Sequence, residues 1–396
     1  MIQDKDKSGA TNTLNGLSTE GLTIMASMDK KEASCAQPWP EVDPGRIYDR
    51  PGYRLMGYVD GFIQAGEVPV PRVRTVLTRE DRVATGLVRC GINRYRYTVV
   101  PGLYAVGNPD VSSEVLVTAN FKLTFDHLRK ELSGINAWIL VLDTRGINVW
   151  CAAGKGTFAT RELVSRIQAV GLDKVVDHRR LIVPQLGATG VSAGEVKSLS
   201  GFRVVYGPIR AHDIRAFLNN KQKADPAMRE VTFNLYERLI LTPVEFQMAL
   251  KPALITAVVL FVLSGLGPGY FSLSHAWPRW LTTLAALGLG IVAGAVVTPV
   301  LLPFIPVREF ALKGTIAGTI AALALLAFLP GATVSVAAGL SVFLFVVTVS
   351  SFLAMNFTGA TPFTAPSGVE KEMKRYIPFQ LAALLVSTGT WIYSAF

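Results

Sequence analysis

The chain has 396 residues, of which half are apolar, and it carries a formal net charge of +10. This length is enough for two domains of ordinary size, and a mean hydropathy of +0.36 is too high for a purely soluble protein. The basic residues are scattered and no nucleic-acid-binding motif is present, which indicates a surface beside anionic lipid and no nucleic-acid partner. Because Cys35, Cys90 and Cys151 form no CxxC pair, we expect neither a protein-bound iron–sulfur cluster nor a structural zinc site.

Composition divides the chain into three regions. Residues 1–43 are polar and contain no apolar core of the kind found in signal peptides, so they are predicted to be disordered. Residues 44–250 are predicted to form a cytoplasmic α/β domain with a linker. Residues 251–396 are predicted to form an all-α transmembrane domain.

Short apolar runs alternate with amphipathic segments in the α/β region. Strands are predicted at residues 115–118, 137–143, 181–183 and 203–206, and helices at 121–132, 158–170, 192–199 and 211–219. Thr157 or Thr160 is predicted to cap the second of these helices. The alternation is typical of a Rossmann-like, doubly wound sheet of mostly parallel strands. Residues 227–250 are predicted to hold helices that lead into the membrane.

The loops at the carboxyl ends of these strands are the candidate ligand site, because open parallel sheets bind ligands there. They are rich in Gly, Ala, Thr and Asn, and suit a large, amide-bearing cofactor better than a compact charged substrate. One loop, residues 146–158, is predicted to place Cys151 in a turn of small residues. A lone cysteine after a strand is also often a small buried hydrophobe, and composition alone leaves that alternative open.

Several common sites are excluded by spacing. The run from Gly154 to Thr157 lacks the glycine and hydroxyl positions of a P-loop, and no GxGxxG follows a strand. The histidines show no metal-ligand spacing, and none stands in the Asp-x-His-x-x-Gly arrangement of histidine-ligated cobalamin proteins. These histidines are His127, His178, His212 and His275.

The C-terminal region contains four uncharged stretches, at residues 253–273, 280–307, 314–369 and 377–396. Each can supply the roughly 20 apolar residues that cross a bilayer, and Pro330 and Gly331 divide the third into spans near 314–329 and 334–355. Five transmembrane helices are therefore predicted. Lys and Arg concentrate before the third and fifth helices, which predicts a multi-pass protein of the cytoplasmic membrane with its α/β domain in the cytoplasm and its C-terminus outside.

Three segments of the α/β region resemble a known family. Residues 148–155 read Asn-Val-Trp-Cys-Ala-Ala-Gly-Lys, residues 118–124 read Thr-Ala-Asn-Phe-Lys-Leu-Thr, and residues 184–188 read Pro-Gln-Leu-Gly-Ala. Together with the helical tail, they resemble the membrane-anchored corrinoid proteins of microbial mercury methylation. The soluble part is similar to the corrinoid-binding domain of the corrinoid iron–sulfur protein of the acetyl-CoA pathway.

The resemblance implies a corrinoid-dependent methyltransferase that carries a methyl group on cobalt and transfers it to Hg(II), forming methylmercury. It implies a cobalamin-type cofactor with its nucleotide base off the cobalt, and Cys151 as the lower axial cobalt ligand. It also implies a folate-type methyl donor. Because this chain lacks a cysteine-rich cluster segment, the reductant is expected to be a separate ferredoxin-like protein with paired iron–sulfur clusters.

The candidate site residues follow from these motifs and from the strand-end loops. Cys151 and Asn148 are predicted to be catalytic, with Asn148 fixing the turn through side-chain hydrogen bonds. The predicted cofactor contacts are Asn120, Val149, Trp150, Ala152, Ala153, Gly154, Lys155, Gly156, Thr157, Gln185, Gly187 and Gly207.

Two alternatives remain open from the sequence. One is a corrinoid methyl carrier of another one-carbon pathway, and the other is a membrane-tethered corrinoid sensor. Methyl transfer to a thiol or nickel centre but not to Hg(II) would favour the carrier, whereas tight corrinoid binding without transfer would favour the sensor.

Overall fold

The computed structural model describes residues 57–66, 68–329, 335–361, 363–364 and 366–396. Leu55–Phe396 groups into one compact unit. The predicted disordered segment, residues 1–43, lies outside the described residues.

Within the described part of the chain, seven strands form one mixed sheet. They are β1 (Val59–Ala65), β2 (Val68–Val73), β3 (Gly102–Val106), β4 (Val115–Ala119), β5 (Ala137–Leu142), β6 (Arg180–Val183) and β7 (Arg203–Tyr206), in the spatial order β1-β2-β3-β5-β4-β6-β7. The four predicted strands are confirmed as β4 to β7, and they pair in parallel.

The first three strands were not predicted. Strand β3 runs antiparallel to β5, and β1 runs antiparallel to β2, so the sheet is mixed at this side. Strand β2 contains Pro69 and Pro71, which lack the N–H that a ladder needs, and its pairing with β3 is restricted to Arg72 and Ala105. These prolines hid the strand pattern in the sequence.

The helices of the α/β region follow the strands. They are α1 (Arg79–Arg89), α2 (Lys122–Glu131), α3 (Val149–Gly154), α4 (Thr160–Ala169), α5 (Leu172–Val175), α6 (Ala193–Ser200) and α7 (Ile214–Asn219). The predicted cap of the second helix is wrong, because Ala159 holds the N-cap position without a side-chain hydrogen bond. The Thr160 hydroxyl instead accepts from the Ser192 backbone N–H at 2.8 Å.

The parallel strands have a doubly wound order. Counted along the chain from β4, their spatial order is 2-1-3-4, which places the reversal of strand order at β4 and differs from the order 3-2-1-4 of dinucleotide-binding sheets. Ligands of such sheets bind outside the carboxyl ends of the strands at this reversal. The candidate ligand site is therefore at the carboxyl ends of β4, β5 and β6.

The sheet is covered by helices on both faces. Alternate residues of β4 and β5, such as Val117 and Leu140, share one core cluster with α3 to α6. On the other face, Tyr104 and Phe125 of α2 form an edge-to-face pair with ring centroids 5.4 Å apart. The central strands are buried on both faces, which explains why their sequences are continuous apolar runs.

A buried charge cluster fastens α1 to α2. Lys122 Nζ donates to Asp81 Oδ1 and Asp126 Oδ2, both at 2.7 Å, and the fully buried Arg129 donates to Asp126 Oδ1 at 2.7 Å and to Asp81 Oδ2 at 2.8 Å. Burial raises the pKa of Asp81, but hydrogen bonds from Lys122 and the Thr78 backbone outweigh it and hold that pKa well below its ordinary range. The stabilisation from Asp81 is therefore fully present above the unfolded pKa of about 3.9 and is lost only as the pH falls through the depressed folded pKa.

Among the described residues of the C-terminal region, four helices are long and apolar enough to cross a membrane. They are α8 (Leu235–Gly265), α9 (Leu273–Val300), α10 (Phe310–Phe328) and α11 (Val336–Phe357), with a short hairpin of β8 (Leu266–Gly267) and β9 (Tyr270–Phe271) between the first two. Helix α9 contains a π-helical segment, Ala293–Val297. The helices predicted at 227–250 are a short 3-10 helix, Pro226–Arg229, and the first part of α8, which continues into the first apolar segment.

The fifth predicted span is not among these four. It lies in α12 (Pro366–Tyr393), whose first turns carry several charges and whose remainder is diluted by Gln380, Ser387 and neighbouring threonines. Gln380 donates to Ser351 of α11 at 2.9 Å, and Ser387 and Ser341 exchange hydrogen bonds. Helix α12 thus packs on α11 through polar groups as well as apolar ones.

Charged side chains form hydrogen bonds with backbone groups at helix ends on one side of the bundle. Arg238 of α8 donates to the Val300 carbonyl at 2.8 Å, and Lys313 donates to the carbonyls of Leu302 and Ile305 at 2.7 and 2.6 Å. Glu372 accepts from the Ala311 backbone N–H at 2.7 Å. Cations thus meet the C-terminal end of α9, and an anion meets the N-terminal end of α10, as helix dipoles favour.

Replacing Asp126 by Ala is expected to destabilise the α/β domain by about 3 kcal/mol, because the buried Arg129 would lose one of its two carboxylates. The free energy of opening is measured by native-state hydrogen exchange of the slowest α2 amides. Asp60→Ala is the control, since it breaks a partly exposed ion pair with Arg72 and should cost less than about 1 kcal/mol. Equal losses in the two variants would contradict the buried-cluster account.

Candidate functional site

Cys151 lies in a short helix, not in the turn that the sequence predicted. Asn148 has an extended backbone and occupies the N-cap of α3, where its Oδ1 accepts from the Cys151 backbone N–H at 2.9 Å. This is the ordinary role of Asn at a helix start. The glycines of the motif obscured the helix in the sequence, but the Asn-x-x-Cys spacing is that of an N-cap and the residue it caps.

Helix α3 has an inner and an outer side. Val149, Ala152 and Ala153 are buried in the main core of the α/β domain. Cys151 is half-buried, whereas Gly154 and Lys155, three and four residues further on, are exposed. Because positions three and four apart share a helix face, these three residues line the outer side together. Trp150 is half-buried.

Two of the predicted glycines leave open space near the cysteine. A Cβ placed on Gly154 or Gly156 would meet no heavy atom within 4 Å, and Gly156 has a φ of +74° that other residues rarely adopt. Thr157 is turned back into the protein, where its hydroxyl lies 3.4 Å from the Ala152 carbonyl. A bulky ligand could therefore approach the backbone beside Cys151 from the side of Gly154 and Gly156.

Two other predicted glycines serve packing inside the protein. A Cβ on Gly187 would lie 2.4 Å from Phe158 Cε1, and a Cβ on Gly207 would lie 2.9 Å from Ile182 Cγ2. Both glycines are buried. Their smallness is explained by contacts within the domain, and a cofactor contact at either remains a prediction.

The loop after β6 packs against α3. Gln185 begins a 3-10 turn, Gln185–Gly187, and its side-chain oxygen accepts from Arg229. A Cβ on Gly190 would lie 3.1 Å from the Ala153 Cα. The ends of β5 and β6 therefore converge at α3, as the predicted strand-end site requires.

Asn120 connects the ends of β4 and β5. Its Oδ1 accepts from the backbone N–H groups of Thr144 and Gly146 at 3.1 and 2.9 Å, and the Thr144 hydroxyl lies 2.9 Å from the same oxygen. Its Nδ2 donates to Asp143 Oδ1 at 3.2 Å. Asn120 is buried, so its observed role is to shape the loop that leads into α3, and its predicted contact with a cofactor remains a prediction.

Three residues outside the predicted set complete this loop. Thr144 is fully buried, and Asp143 also accepts from the Arg145 backbone N–H at 3.0 Å. Glu162 of α4 accepts from the Asp143 backbone N–H at 2.9 Å. The Asp-Thr pair directly after a buried strand was a signal of a hydrogen-bonded turn, but the contact with Glu162 needed the tertiary structure.

Gly146 allows the neighbouring segment to lie close to this loop. Its φ is +66°, and a Cβ there would lie 2.8 Å from Thr98 Cγ2. The same segment donates the Val99 backbone N–H to the Asn120 carbonyl at 2.8 Å. Residues just before β3 are thus part of the support for the site.

The donor set at the site is a single thiol. Within the residues that the structure describes, no three His, Cys, Asp or Glu side chains come together as a metal-binding group. One soft sulfur is too few ligands for a bare ion held by protein alone, but it suits a metal whose equatorial positions are filled by a macrocycle. With the open space at Gly154 and Gly156, the residues present fit a planar metal cofactor.

Part of the α/β domain is similar to known proteins. Residues 94–218, which include β3 to β7 and the whole candidate site, match a family model described as CO dehydrogenase/acetyl-CoA synthase delta subunit. Acetyl-CoA decarbonylase/synthase complex subunit gamma of Methanopyrus kandleri is 34% identical over 125 residues, 31% of this chain and 27% of that protein. The subunit gamma of Methanocaldococcus jannaschii is 31% identical over 165 residues, 41% of this chain and 32% of that protein.

A third relative is named for a corrinoid. The corrinoid/iron-sulfur protein large subunit of Moorella thermoacetica is 34% identical over 117 residues, 29% of this chain and 26% of that protein. This chain spans about a quarter to a third of the length of these relatives. The similarity supports the resemblance of the α/β domain to a corrinoid protein of one-carbon metabolism, and the family model ends before α8 begins.

Replacing Asn148 by Ala is expected to accelerate hydrogen exchange at the Cys151 amide and to destabilise α3 by about 1 kcal/mol, because the amide would lose its cap. Asn148→Ser keeps an oxygen acceptor and should restore most of the protection. Equal exchange in the Ala and Ser variants would show that the cap does not hold the helix.

Replacing Asn120 by Ala is expected to cost about 2 kcal/mol and to open the loop before α3, because two buried backbone N–H groups would lose their acceptor. Faster hydrogen exchange at Thr144, Gly146 and Cys151 is the measurement. Asn108→Ala, at an exposed asparagine, is the matched control. Unchanged exchange in the Asn120 variant would exclude this supporting role.

Proposed function

We propose that this chain binds a corrinoid in its α/β domain and acts as a corrinoid-dependent methyltransferase of one-carbon metabolism. The observation that carries the proposal is Cys151, a half-buried thiol on the outer side of a capped helix, next to open backbone at Gly154 and Gly156. It lies within residues 94–218, which match the family model described as CO dehydrogenase/acetyl-CoA synthase delta subunit. The four apolar helices would hold this domain at a membrane.

The residues of the site have distinct roles in this proposal. Cys151 would hold the metal of the corrinoid through its sulfur. Gly154 and Gly156 would give the ring clearance, and Lys155, exposed on the same side as Cys151, would hold a polar side chain of the ring. When bound, the corrinoid supplies the transfer chemistry, because its cobalt can take a methyl group from one molecule and pass it to another.

The protein would act mainly by choosing and orienting the ligand atom. Asn148 caps α3 and so determines where Cys151 projects, while Asn120 holds the preceding loop. A thiolate is a soft and strongly electron-donating ligand. Cys151 would supply such a ligand to the metal of the bound cofactor.

We propose Hg(II) as the methyl acceptor. Two considerations support it: the resemblance of residues 148–155 to the mercury-methylation motif, and the preference of a soft electrophile for methyl with its electron pair. The names of the relatives favour the second candidate, a methyl carrier of another one-carbon pathway. The two differ in the acceptor and share the same site.

The proposed partners follow from what the chain lacks. Its three cysteines form no CxxC pair, so low-potential electrons would come from a separate ferredoxin-like protein with paired iron–sulfur clusters. A folate-type molecule would donate the methyl group. The charges before α10 and in α12 favour a cytoplasmic location of the site, at the inner membrane.

Replacing Cys151 by Ala in the full chain is expected to change the visible spectrum of the bound corrinoid and to abolish methyl transfer to Hg(II). Folding should change little, because only one sulfur is removed, and amide exchange of β5 checks this. Cys90→Ala is the matched control at an exposed cysteine and should leave both readouts unchanged. Cys151→Thr tests whether an oxygen can replace the soft sulfur.

The outcomes separate the proposals. An unchanged spectrum with full activity in Cys151→Ala would eliminate the ligand role. A Cys151-dependent spectrum with transfer to a thiol or nickel centre, but not to Hg(II), would support the other one-carbon pathway. Tight corrinoid binding without any transfer would indicate a sensor.

A further inference from the structure

The outer side of α1 carries an apolar face with arginines at its edges. We define this α1 face as Val83, Leu87 and Ile92, which are 63%, 44% and 48% exposed, together with the exposed Arg79, Arg82 and Arg96. Val83 and Leu87 are four residues apart and therefore adjacent on the helix surface. The opposite side of α1 holds Asp81 and Val88, which are buried.

The buried side makes α1 a rigid part of the domain. Asp81 is bound to Lys122 and Arg129, and it forms a capping box with Thr78 at the start of the helix. Such a fixed helix would not rotate to hide Val83 and Leu87. Large exposed apolar patches on proteins usually mark a contact with a partner or a membrane.

The end of α1 lies against α8. A Cβ placed on Gly91 would be 2.6 Å from Gln247 Oε1, and Arg94 interacts electrostatically with Glu245. Gln247 comes one turn before Lys251, the last charged residue of α8. The side chains of Phe246, Met248 and Leu250 around it are exposed and apolar. The α1 face is therefore next to the point where α8 becomes suited to a bilayer.

The charge of the segment complements anionic lipid. Residues 79–96 contain five arginines and two acidic residues. One of the acids, Asp81, is already neutralised by Lys122 and Arg129. An apolar strip flanked by arginines is the pattern of a helix that lies in the interface of an anionic membrane.

We propose that the α1 face rests on the bilayer surface, with Val83, Leu87 and Ile92 at the boundary of headgroups and acyl chains and the arginines on anionic headgroups. This contact is independent of the corrinoid proposal. It would fix the orientation of the candidate site above the membrane, because the segment after α1 contacts both Gly146 and Asn120 through Thr98 and Val99.

Cys90 is a suitable labelling position for testing this contact. It is exposed, and it lies three residues after Leu87, on the same side of the helix. In the full chain, Cys35 and Cys151 are replaced by Ser, Cys90 is labelled with bimane, and the protein is placed in nanodiscs with spin-labelled headgroups. Quenching is compared between phosphatidylglycerol-containing and all-phosphatidylcholine nanodiscs.

We expect about fivefold stronger quenching with the anionic lipid. Val83→Gln with Leu87→Gln should abolish it, whereas Leu199→Gln, at another exposed leucine in α6, should not. Equal quenching in both lipids, or quenching that survives the double substitution, would overturn the proposal. A label that is shielded from iodide even in detergent would also overturn it, since the face would then be covered by protein.

Discussion

The carboxamide of Asn120 is the interaction on which the candidate site depends. It accepts hydrogen bonds from two backbone N–H groups of the loop after β5, and the Asn120 backbone N–H donates to the Leu142 carbonyl at the end of β5. Two adjacent parallel strands are thereby joined at the edge where a doubly wound sheet binds its ligands. The loop continues directly into α3, where Asn148 caps the helix and orients Cys151. A thiol on a flexible loop would not offer a metal a defined direction.

The site is also connected to the apolar C-terminal helices. The charge cluster of Asp81, Lys122, Asp126 and Arg129 fastens α1 to α2, and the segment between α1 and β3 reaches Gly146. The end of α1 lies on α8, the first apolar helix. A continuous set of packed contacts therefore runs from the bilayer-suited helices to the loop that carries Cys151.

Much of the fold could be predicted because its signals are local. The apolar runs of β4 and β5 and the turn residues after them identify buried strands, and the uncharged stretches identify helices that are apolar enough to cross a membrane. One prediction was wrong because a tertiary contact replaced the local signal: Thr160 accepts a hydrogen bond from Ser192 instead of capping α4. Strand β2 was not predicted, because its two prolines hid the strand pattern. The fifth membrane span stays a prediction, since α12 also carries polar residues that contact α11.

The sequence by itself determined three features of this protein. They are a lone cysteine among small residues after a buried strand, a motif resembling that of corrinoid proteins, and a C-terminal region apolar enough to cross a membrane. Only the tertiary structure decided which of those residues border open space. Gly154 and Gly156 border open space, whereas Gly187 and Gly207 accommodate Phe158 and Ile182. The sequence does not distinguish a glycine beside open space from a glycine in a packed contact. The difference depends on neighbouring residues that are distant in the chain and become adjacent only after folding.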